Sequence, residues 1–267
     1  MDTNKKKLIF LGFLMIFVLV GKAQIIISGY LANPDGSDSN YEYVQLMATA
    51  DIDFANTQYS LIAYYGSPEA TYPVKGWATG GAETYKFELT SGSVKKGEFF
   101  YVGGSKKNIN GSGSTDISSA NWIRVTAYKT RSGDGGNGKG RAGLFTNSGN
   151  ANGIAVFNGA SVTQNNVPID VVFFGELTGP YYQASPELGY RICDNDLYLT
   201  KAGSFFGKGS NTTTFSHAGS KKFSKLGGMY SISEKKWIRK RSLTKTTLSA
   251  TSLLSVIESG KGVTKLE

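Results

Sequence analysis

The sequence predicts an all-β fold of the β-sandwich type, from three observations. Apolar segments of four to eight residues, rich in β-branched and aromatic side chains, recur between turn-forming residues. Glycine accounts for 34 of the 267 residues, roughly twice its usual share, and tyrosine and phenylalanine contribute 15 each. Only one segment has helical periodicity. Short strands joined by glycine-rich turns are typical of sandwiches.

The N-terminus has the pattern of a signal peptide over residues 1–23. Lysines at positions 5–7 precede an apolar run over residues 8–20, and the small residues Gly21 and Ala23 follow. Thirteen apolar residues are too few to cross a hydrocarbon core, which needs about 20 helical residues. We therefore expect cleavage after Ala23 and export to the periplasm, the cell surface or the medium, without a transmembrane segment. A retained membrane anchor is the weaker alternative.

Ten segments of the mature chain are predicted to form strands. In chain order they are residues 25–31, 41–47, 59–65, 85–89, 99–102, 122–128, 154–157, 169–174, 189–193 and 229–232. In the second of them, alternation places Val44 and Leu46 on the core face and Tyr43 and Gln45 on a partly solvated face.

The remaining segments are connections. Two glycine-rich loop insertions, residues 108–114 and 132–143, are expected to contribute nothing to the core. Residues 249–259 are predicted to form a short helix that ends at Gly260, or else a disordered tail.

Charge is distributed unevenly along the mature chain. Residues 24–200 contain 12 Lys and Arg against 16 Asp and Glu, whereas residues 201–267 contain 13 against 3. The second part is therefore predicted to be a basic C-terminal extension, partly packed on a sandwich formed by residues 24–200. Such asymmetry is typical of a contact with an anionic partner, although it also serves solubility.

The densest basic cluster in this extension also contains an aromatic residue. We predict that it binds a partner through Lys221, Lys222, Lys225, Lys235, Lys236, Trp237, Arg239, Lys240 and Arg241. For an exported protein, an envelope or surface protein, an anionic glycan or a lipid head group is more plausible than nucleic acid. Protection of a sheet edge by lysines is an equally weighted alternative.

Motifs at both ends of the predicted sandwich point to a known family. They are Asn33-Pro34 followed by the acidic Asp35 and Asp38, the strand over residues 42–46, the segments 51–54 and 59–61, the strand over residues 169–175 with Asp170, and residues 188–191, which end in Arg191. Residues 25 to about 200 resemble a lamin-tail-like domain of secreted bacterial proteins. The resemblance implies an immunoglobulin-like sandwich without activity of its own.

The matched residues have structural roles on physical grounds. Asn33 and Pro34 form a sharp turn that leads to Glu42 in the next strand. We expect Glu42 to accept backbone N–H groups or to pair with Arg191, and Asp170 and Arg191 to belong to the same framework.

Calcium is a weaker possibility for the acidic loops. Oxygen ligands occur at Asn33, Asp35, Asp38, Asn40 and Glu42, and a second acidic group comprises Asp194 and Asp196. Because ordinary turn chemistry explains the same residues, no cofactor is predicted.

Catalysis finds little support in the sequence. The mature chain contains one histidine, His217, in a polar loop, and one cysteine, Cys193, at the end of an apolar strand that is typical of an inert thiol. Residues 133–139 have the spacing of a phosphate loop, but Gly140 occupies the position where Ser or Thr is needed.

The sequence therefore predicts a non-catalytic interaction or scaffold module of the bacterial envelope. The alternative is a carbohydrate-binding module that uses exposed aromatic rings; the candidates are Trp77, Tyr64, Tyr65, Tyr181, Tyr182 and Trp237. An extracellular hydrolase is a third and weaker alternative.

Overall fold

The computed structural model describes residues 24–66, 75–147, 150–175, 189–200 and 202–267. Over these ranges the chain forms strands β1 (Ile25–Leu31), β2 (Tyr43–Ala48), β3 (Ile52–Asp53), β4 (Tyr59–Tyr64), β5 (Thr84–Leu89), β6 (Ser93–Val94), β7 (Phe99–Gly104), β8 (Trp122–Thr126), β9 (Ala151–Asn158), β10 (Asp170–Gly175), β11 (Asp196–Leu199), β12 (Phe205–Phe206), β13 (Asn211–Thr212), β14 (Thr214–Phe215), β15 (Lys222–Ser231), β16 (Lys236–Thr247) and β17 (Lys265–Leu266). Two 3₁₀ turns (Gly76–Ala78 and Asp134–Gly136) and one α-helix, α1 (Ser255–Glu258), complete the list. The predicted signal peptide and Tyr181, Tyr182 and Leu188 lie outside the described residues.

Two main sheets pack face to face, which confirms the predicted all-β sandwich. The larger sheet has the strand order β16-β15-β1-β2-β7-β8, with β17 beside β15, and the smaller has the order β14-β10-β9-β4-β5. Apolar residues from both sheets form one cluster between them. Within it Tyr30 of β1 stacks on Phe174 of β10, with ring centroids 4.1 Å apart. Burial of such aromatic faces is the main favourable term in folding.

The outer face of the larger sheet is also covered at β2, contrary to the prediction of a partly wet face for this strand. Tyr43 and Gln45 are 1 % and 0 % exposed. Gln45 donates a 3.0 Å hydrogen bond to the hydroxyl of Tyr101, and Tyr43 lies in a second apolar cluster with Ile109 and Ile257. Ile109 belongs to a loop that was expected to stay out of the core. A strand buried on both faces loses the alternation that sequence analysis depends on.

The C-terminal part is an integral part of the sheets, so the predicted boundary at residue 200 does not separate two units. β15 pairs with β1, with Gly29 opposite Lys225 and Tyr30 opposite Ser224. Gly29 is needed there because a Cβ atom would lie 2.6 Å from the ring of Phe223. β14 pairs with β10 in the smaller sheet. Neither sheet has its full set of strands without residues 201–267.

The one predicted helix is confirmed in part, since α1 occupies four of the eleven predicted residues and buries Ile257. Among the described residues, no helix has the length and apolar character that crossing a membrane requires.

The predicted strand over residues 189–193 is wrong, because the chain is irregular there. Its apolar residues are held by side chains and not by a sheet. Tyr190 packs between Tyr64 and Trp77, with ring centroids at 4.8 and 4.9 Å. The indole N–H of Trp77 donates a 2.9 Å hydrogen bond to the carbonyl of Arg191. Burial under Trp77 thus explains the apolar composition that resembled a strand.

Candidate binding surface

The predicted basic cluster lies on the hairpin formed by β15 and β16. These strands pair antiparallel from Lys222 opposite Thr247 to Ser231 opposite Lys236. The turn between them places Lys235 in the left-handed region (φ 53°), and the Ser231 hydroxyl accepts a 3.3 Å hydrogen bond from the N–H of Glu234. β16 is the last strand in the order of the larger sheet. The cluster therefore lies along a sheet edge, as the edge-protection alternative requires.

Three of the nine predicted partner-binding residues are buried, and their assignment to a binding surface is wrong. Trp237, Arg241 and Lys225 are 3 %, 2 % and 5 % exposed. Trp237 packs on Tyr230 in a cluster that also contains Ile26. Lys225 donates a 2.7 Å hydrogen bond to the carbonyl of Ser259, and burial lowers its pKa. A period of two does not explain this burial, because Arg239 has the same strand parity as Trp237 and Arg241 and is exposed.

Arg241 is the centre of a buried charge network. Its Nη1 lies 3.0 Å from Oδ2 of Asp170, and its Nη2 donates a 2.7 Å hydrogen bond to the carbonyl of Val171. The same Asp170 oxygen accepts the N–H of Ile27 at 2.7 Å. The guanidinium carbon lies 4.8 Å from the centre of the Trp237 ring. The network therefore fastens β16, β10 and β1 to one another across the two sheets.

A second carboxylate completes this network. Asp196 lies 4.0 Å from Nη2 of Arg241 and accepts a 2.8 Å hydrogen bond from the amide of Asn211. The Asn211 side-chain oxygen in turn accepts the backbone N–H of Arg241 at 3.2 Å. Burial raises the pKa of Asp170 to about 6 and also raises that of Asp196, while the charge of Arg241 opposes both shifts. The role of Asn211 was missed, since nothing in its local sequence indicates it.

Four exposed cations of the hairpin and the exposed Ile238 between them form what we call the basic edge, comprising Lys235, Lys236, Ile238, Arg239 and Lys240. All five residues are exposed, and Ile238 retains 40 % of its accessible surface. Lys236 forms an ion pair with Glu234 at 2.6 Å. Among the described residues, no carboxylate lies within 4.0 Å of the charged groups of Lys235, Arg239 or Lys240. Ile238 was not predicted, although its spacing from Lys236 and Lys240 follows the period of two of a strand.

The two remaining predicted cations lie at the opposite end of the hairpin. Lys221 forms an ion pair with Asp35 at 2.9 Å, with both side chains half exposed. Lys222 is half-buried at the start of β15. Because β15 is ten residues long, these two cations are well separated from the basic edge.

The framework residues occupy structural positions, but the proposed pair of Glu42 with Arg191 is wrong. The carbonyl of Asn33 accepts the N–H of Lys221 at 2.8 Å, and Pro34 is buried beside it. Glu42 is 0 % exposed and accepts the backbone N–H of Leu144, in agreement with the other predicted role. Arg191 is exposed and forms no ion pair with Glu42 among the described residues. The partner of Asp170 is Arg241.

The cation that acts on Glu42 is Arg141, which was not predicted because it lies in a glycine-rich loop. Its guanidinium lies 5.4 Å from the ring centres of both Tyr65 and Tyr85 and donates a 2.9 Å hydrogen bond to the carbonyl of Ala82. Burial lowers its pKa to about 10, against the opposing charge of Glu42. Burial and the charge of Asp38 raise the pKa of Glu42 well above its ordinary value.

The aromatic candidates for sugar binding are mostly in the core. Trp77, Tyr64 and Trp237 are 2 %, 0 % and 3 % exposed, so they present no face to a sugar. Tyr65 is half-buried beneath Arg141. Stacking on a pyranose needs an exposed ring, which these four residues do not offer.

His217 and Cys193 make separate contacts. The ring nitrogens of His217 bond with the carbonyl of Thr146 and the N–H of Gly219, both at 3.0 Å, and burial lowers its pKa. The Cys193 sulfur lies 3.1 Å from the carbonyl of Pro168, and burial raises the thiol pKa well above its ordinary value. The two side chains are not in hydrogen-bond contact.

Three of the four aspartates considered for calcium have other partners. Asp35 pairs with Lys221, Asp38 accepts a 2.8 Å hydrogen bond from Asn147, and Asp196 belongs to the Arg241 network. Asp194 is exposed. Within the described ranges, no three His, Cys, Asp or Glu side chains converge in a way that would hold a metal ion.

Comparison with known proteins identified no relative of this chain. No protein-family model, no curated protein and no solved structure matches the chain.

Proposed function

We propose that this protein is an exported, non-catalytic interaction module of the cell envelope, which binds an anionic partner through the basic edge. The observation that carries the proposal is the set of three exposed cations, Lys235, Arg239 and Lys240, that have no carboxylate partner among the described residues. Unpaired cations of one sign on one edge attract a partner of the opposite sign and speed its association.

An acidic protein segment is the partner that this surface fits best. Ile238 is exposed between the cations, and apolar contact is a common feature of protein partners. The edge position of β16 offers backbone groups that an extended segment can pair with. An anionic glycan or lipid head group would use the charges alone. The carbohydrate-binding alternative has less support, because its described candidate rings are buried or covered.

Neutralising the basic edge is expected to abolish most of the binding. In a variant with Lys235, Lys236, Arg239 and Lys240 all changed to Gln, affinity for an envelope protein captured by the unmodified chain should fall about tenfold or more, and unmodified binding should weaken as salt rises. A matched control changes the exposed Lys96, Lys106, Lys129 and Lys139 to Gln, which removes the same charge elsewhere.

Binding is measured by pull-down from envelope extracts, followed by titration with the captured partner. Loss in both variants would attribute binding to net charge alone, and retention of every partner by the edge variant would refute the proposal. Ile238→Ser distinguishes the partner classes, since it should weaken a protein partner and leave a glycan or a vesicle of anionic lipid unaffected. If the edge variant instead forms aggregates while partners stay bound, the lysines protect the edge.

A further inference from the structure

A cavity of about 480 Å³ lies outside the basic edge and has no role in the function proposed above. Its apolar lining comes from Val167, Ile192 and Phe206, and the cations Arg191 and Lys208 line it as well. Its size is within the range that holds a small organic ligand.

The walls of this cavity are fixed by hydrogen bonds, strand pairing and close backbone packing. Trp77 fixes the carbonyl of Arg191, and the Asp196 carboxylate accepts the N–H of Cys193 at 3.1 Å. On the facing wall, Phe206 of β12 pairs with Tyr198 of β11. The next residue, Gly207, approaches β11 so closely that a Cβ atom would lie 2.2 Å from the carbonyl of Asp196.

Exposed apolar surface is concentrated at this cavity. Five large apolar side chains are markedly exposed among the described residues, and two of them, Val167 (54 %) and Phe206 (45 %), line the cavity. A third, Phe205, is 71 % exposed and adjoins Phe206 in β12. Exposed apolar side chains that cluster around a concave site are typical of a ligand-binding surface.

The charges at the cavity favour an anion. Arg191 and Lys208 face one acidic lining residue, Asp194, and no ion pair within 4.0 Å joins these three among the described residues. The guanidinium of an arginine binds carboxylates, sulfonates and phosphates in a bidentate manner.

We propose that this cavity binds a small amphiphilic anion, whose apolar part contacts Val167, Ile192 and Phe206 and whose anionic group contacts Arg191 and Lys208. The ligand class is an apolar ring system or chain of drug-like size that ends in a carboxylate or sulfonate. This site is distinct from the basic edge, and each can fail without the other.

A matched pair of fluorescent probes tests both halves of the proposal. The anionic probe is 8-anilinonaphthalene-1-sulfonate, and the neutral probe is N-phenyl-1-naphthylamine, which has the same ring system without the sulfonate. The unmodified chain should bind the anionic probe saturably and more tightly than the neutral one. Arg191→Gln with Lys208→Gln should weaken the anionic probe at least fivefold and change the neutral probe less than twofold, whereas Phe206→Ala should weaken both.

The single cysteine of the chain reports a bound probe, because Cys193 lines this cavity. Saturating anionic probe should slow alkylation of Cys193 by a maleimide at least fivefold in the unmodified chain, a measurement that needs no variant. Cys193 also lines a small pocket beside Lys235 and Lys236, so the protection should persist in the variant with Lys235→Gln and Lys236→Gln. Lys96→Gln with Lys129→Gln is the control for charge, since neither residue lines the cavity.

Three outcomes would overturn the proposal. They are the absence of saturable binding of the anionic probe, an equal loss of both probes when Arg191 and Lys208 are neutralised, and alkylation of Cys193 at the same rate with and without the probe.

Discussion

Arg241→Met is expected to lower the free energy of unfolding by about 3–5 kcal/mol near neutral pH. Methionine fills much of the arginine volume, but it leaves Asp170 and Asp196 buried without their counter-charge, and this uncompensated desolvation dominates the effect. The carbonyl of Val171 also loses its 2.7 Å hydrogen bond. Denaturant unfolding of both chains at the same pH measures the difference.

The control for this substitution is Arg239→Met, two residues away in the same strand. Arg239 is exposed and has no carboxylate within 4.0 Å among the described residues, so its loss should change stability by about 0.5 kcal/mol or less. Adding Asp170→Asn to Arg241→Met should recover part of the stability, because the two residues are coupled. Equal effects of the Arg239 and Arg241 substitutions would contradict the network.

The Arg241 effect should depend on pH in a defined direction. The pKa of Asp170 is already raised to about 6 in the folded chain, and removing the charge of Arg241 raises it further. A carboxyl with a raised folded pKa stabilises the folded state most below its unfolded pKa, and that contribution is lost as pH rises through the folded value. The loss caused by Arg241→Met should therefore be larger near pH 8 than near pH 5.

Glu42→Ala is expected to cost about 2–4 kcal/mol. It leaves the buried N–H of Leu144 and the hydroxyl of Tyr128 without the carboxylate oxygen that accepts from them. It also leaves a cavity at a position that is 0 % exposed. Leu144 lies in the core cluster between the sheets, so the substitution should loosen the loop that leads into β9.

Glu42→Gln is the matched control, and we expect it to cost about 1 kcal/mol or less near neutral pH. The amide oxygen can still accept from Leu144, and the neutral group avoids burying a charge. Because burial raises the folded pKa of Glu42, its contribution to stability is present at low pH and lost as pH rises through that pKa. The difference between Glu and Gln should therefore shrink as pH rises. An Ala variant as stable as the Gln variant would contradict this role of the carboxyl group.

The integration of residues 201–267 changes what can be tested. Because β15 pairs with β1 and Arg241 reaches Asp170, a truncation at residue 200 would remove three strands of the larger sheet and expose the charge network. The surface substitutions described above are therefore the appropriate tests of binding, since each lies on an exposed side chain of an intact fold.

The sequence predicts the longer apolar strands and misses β16, the four-residue β11 and the strands of two residues. Nine of its ten predicted strands overlap observed ones, because β-branched and aromatic runs form strands wherever they can be buried. β16 was described only as a basic cluster, since just Trp237 and Arg241 of its first six residues are buried. Pairing with β15 makes this segment a strand, although its own composition does not predict one.

The sequence by itself determined the fold class, the turn after β1, the position of the short helix and the location of the basic cluster. These features depend on local composition and on periods of two or 3.6 residues. Only the tertiary structure decided which members of that cluster face solvent, that Asp170 pairs with Arg241, and that residues 191–194 and 206–208 enclose one cavity. The Asp170–Arg241 pair joins residues 71 positions apart, and the cavity brings Val167 to residues 191–194 and 206–208. Contacts of this kind follow from sheet register and packing, which a single sequence does not specify.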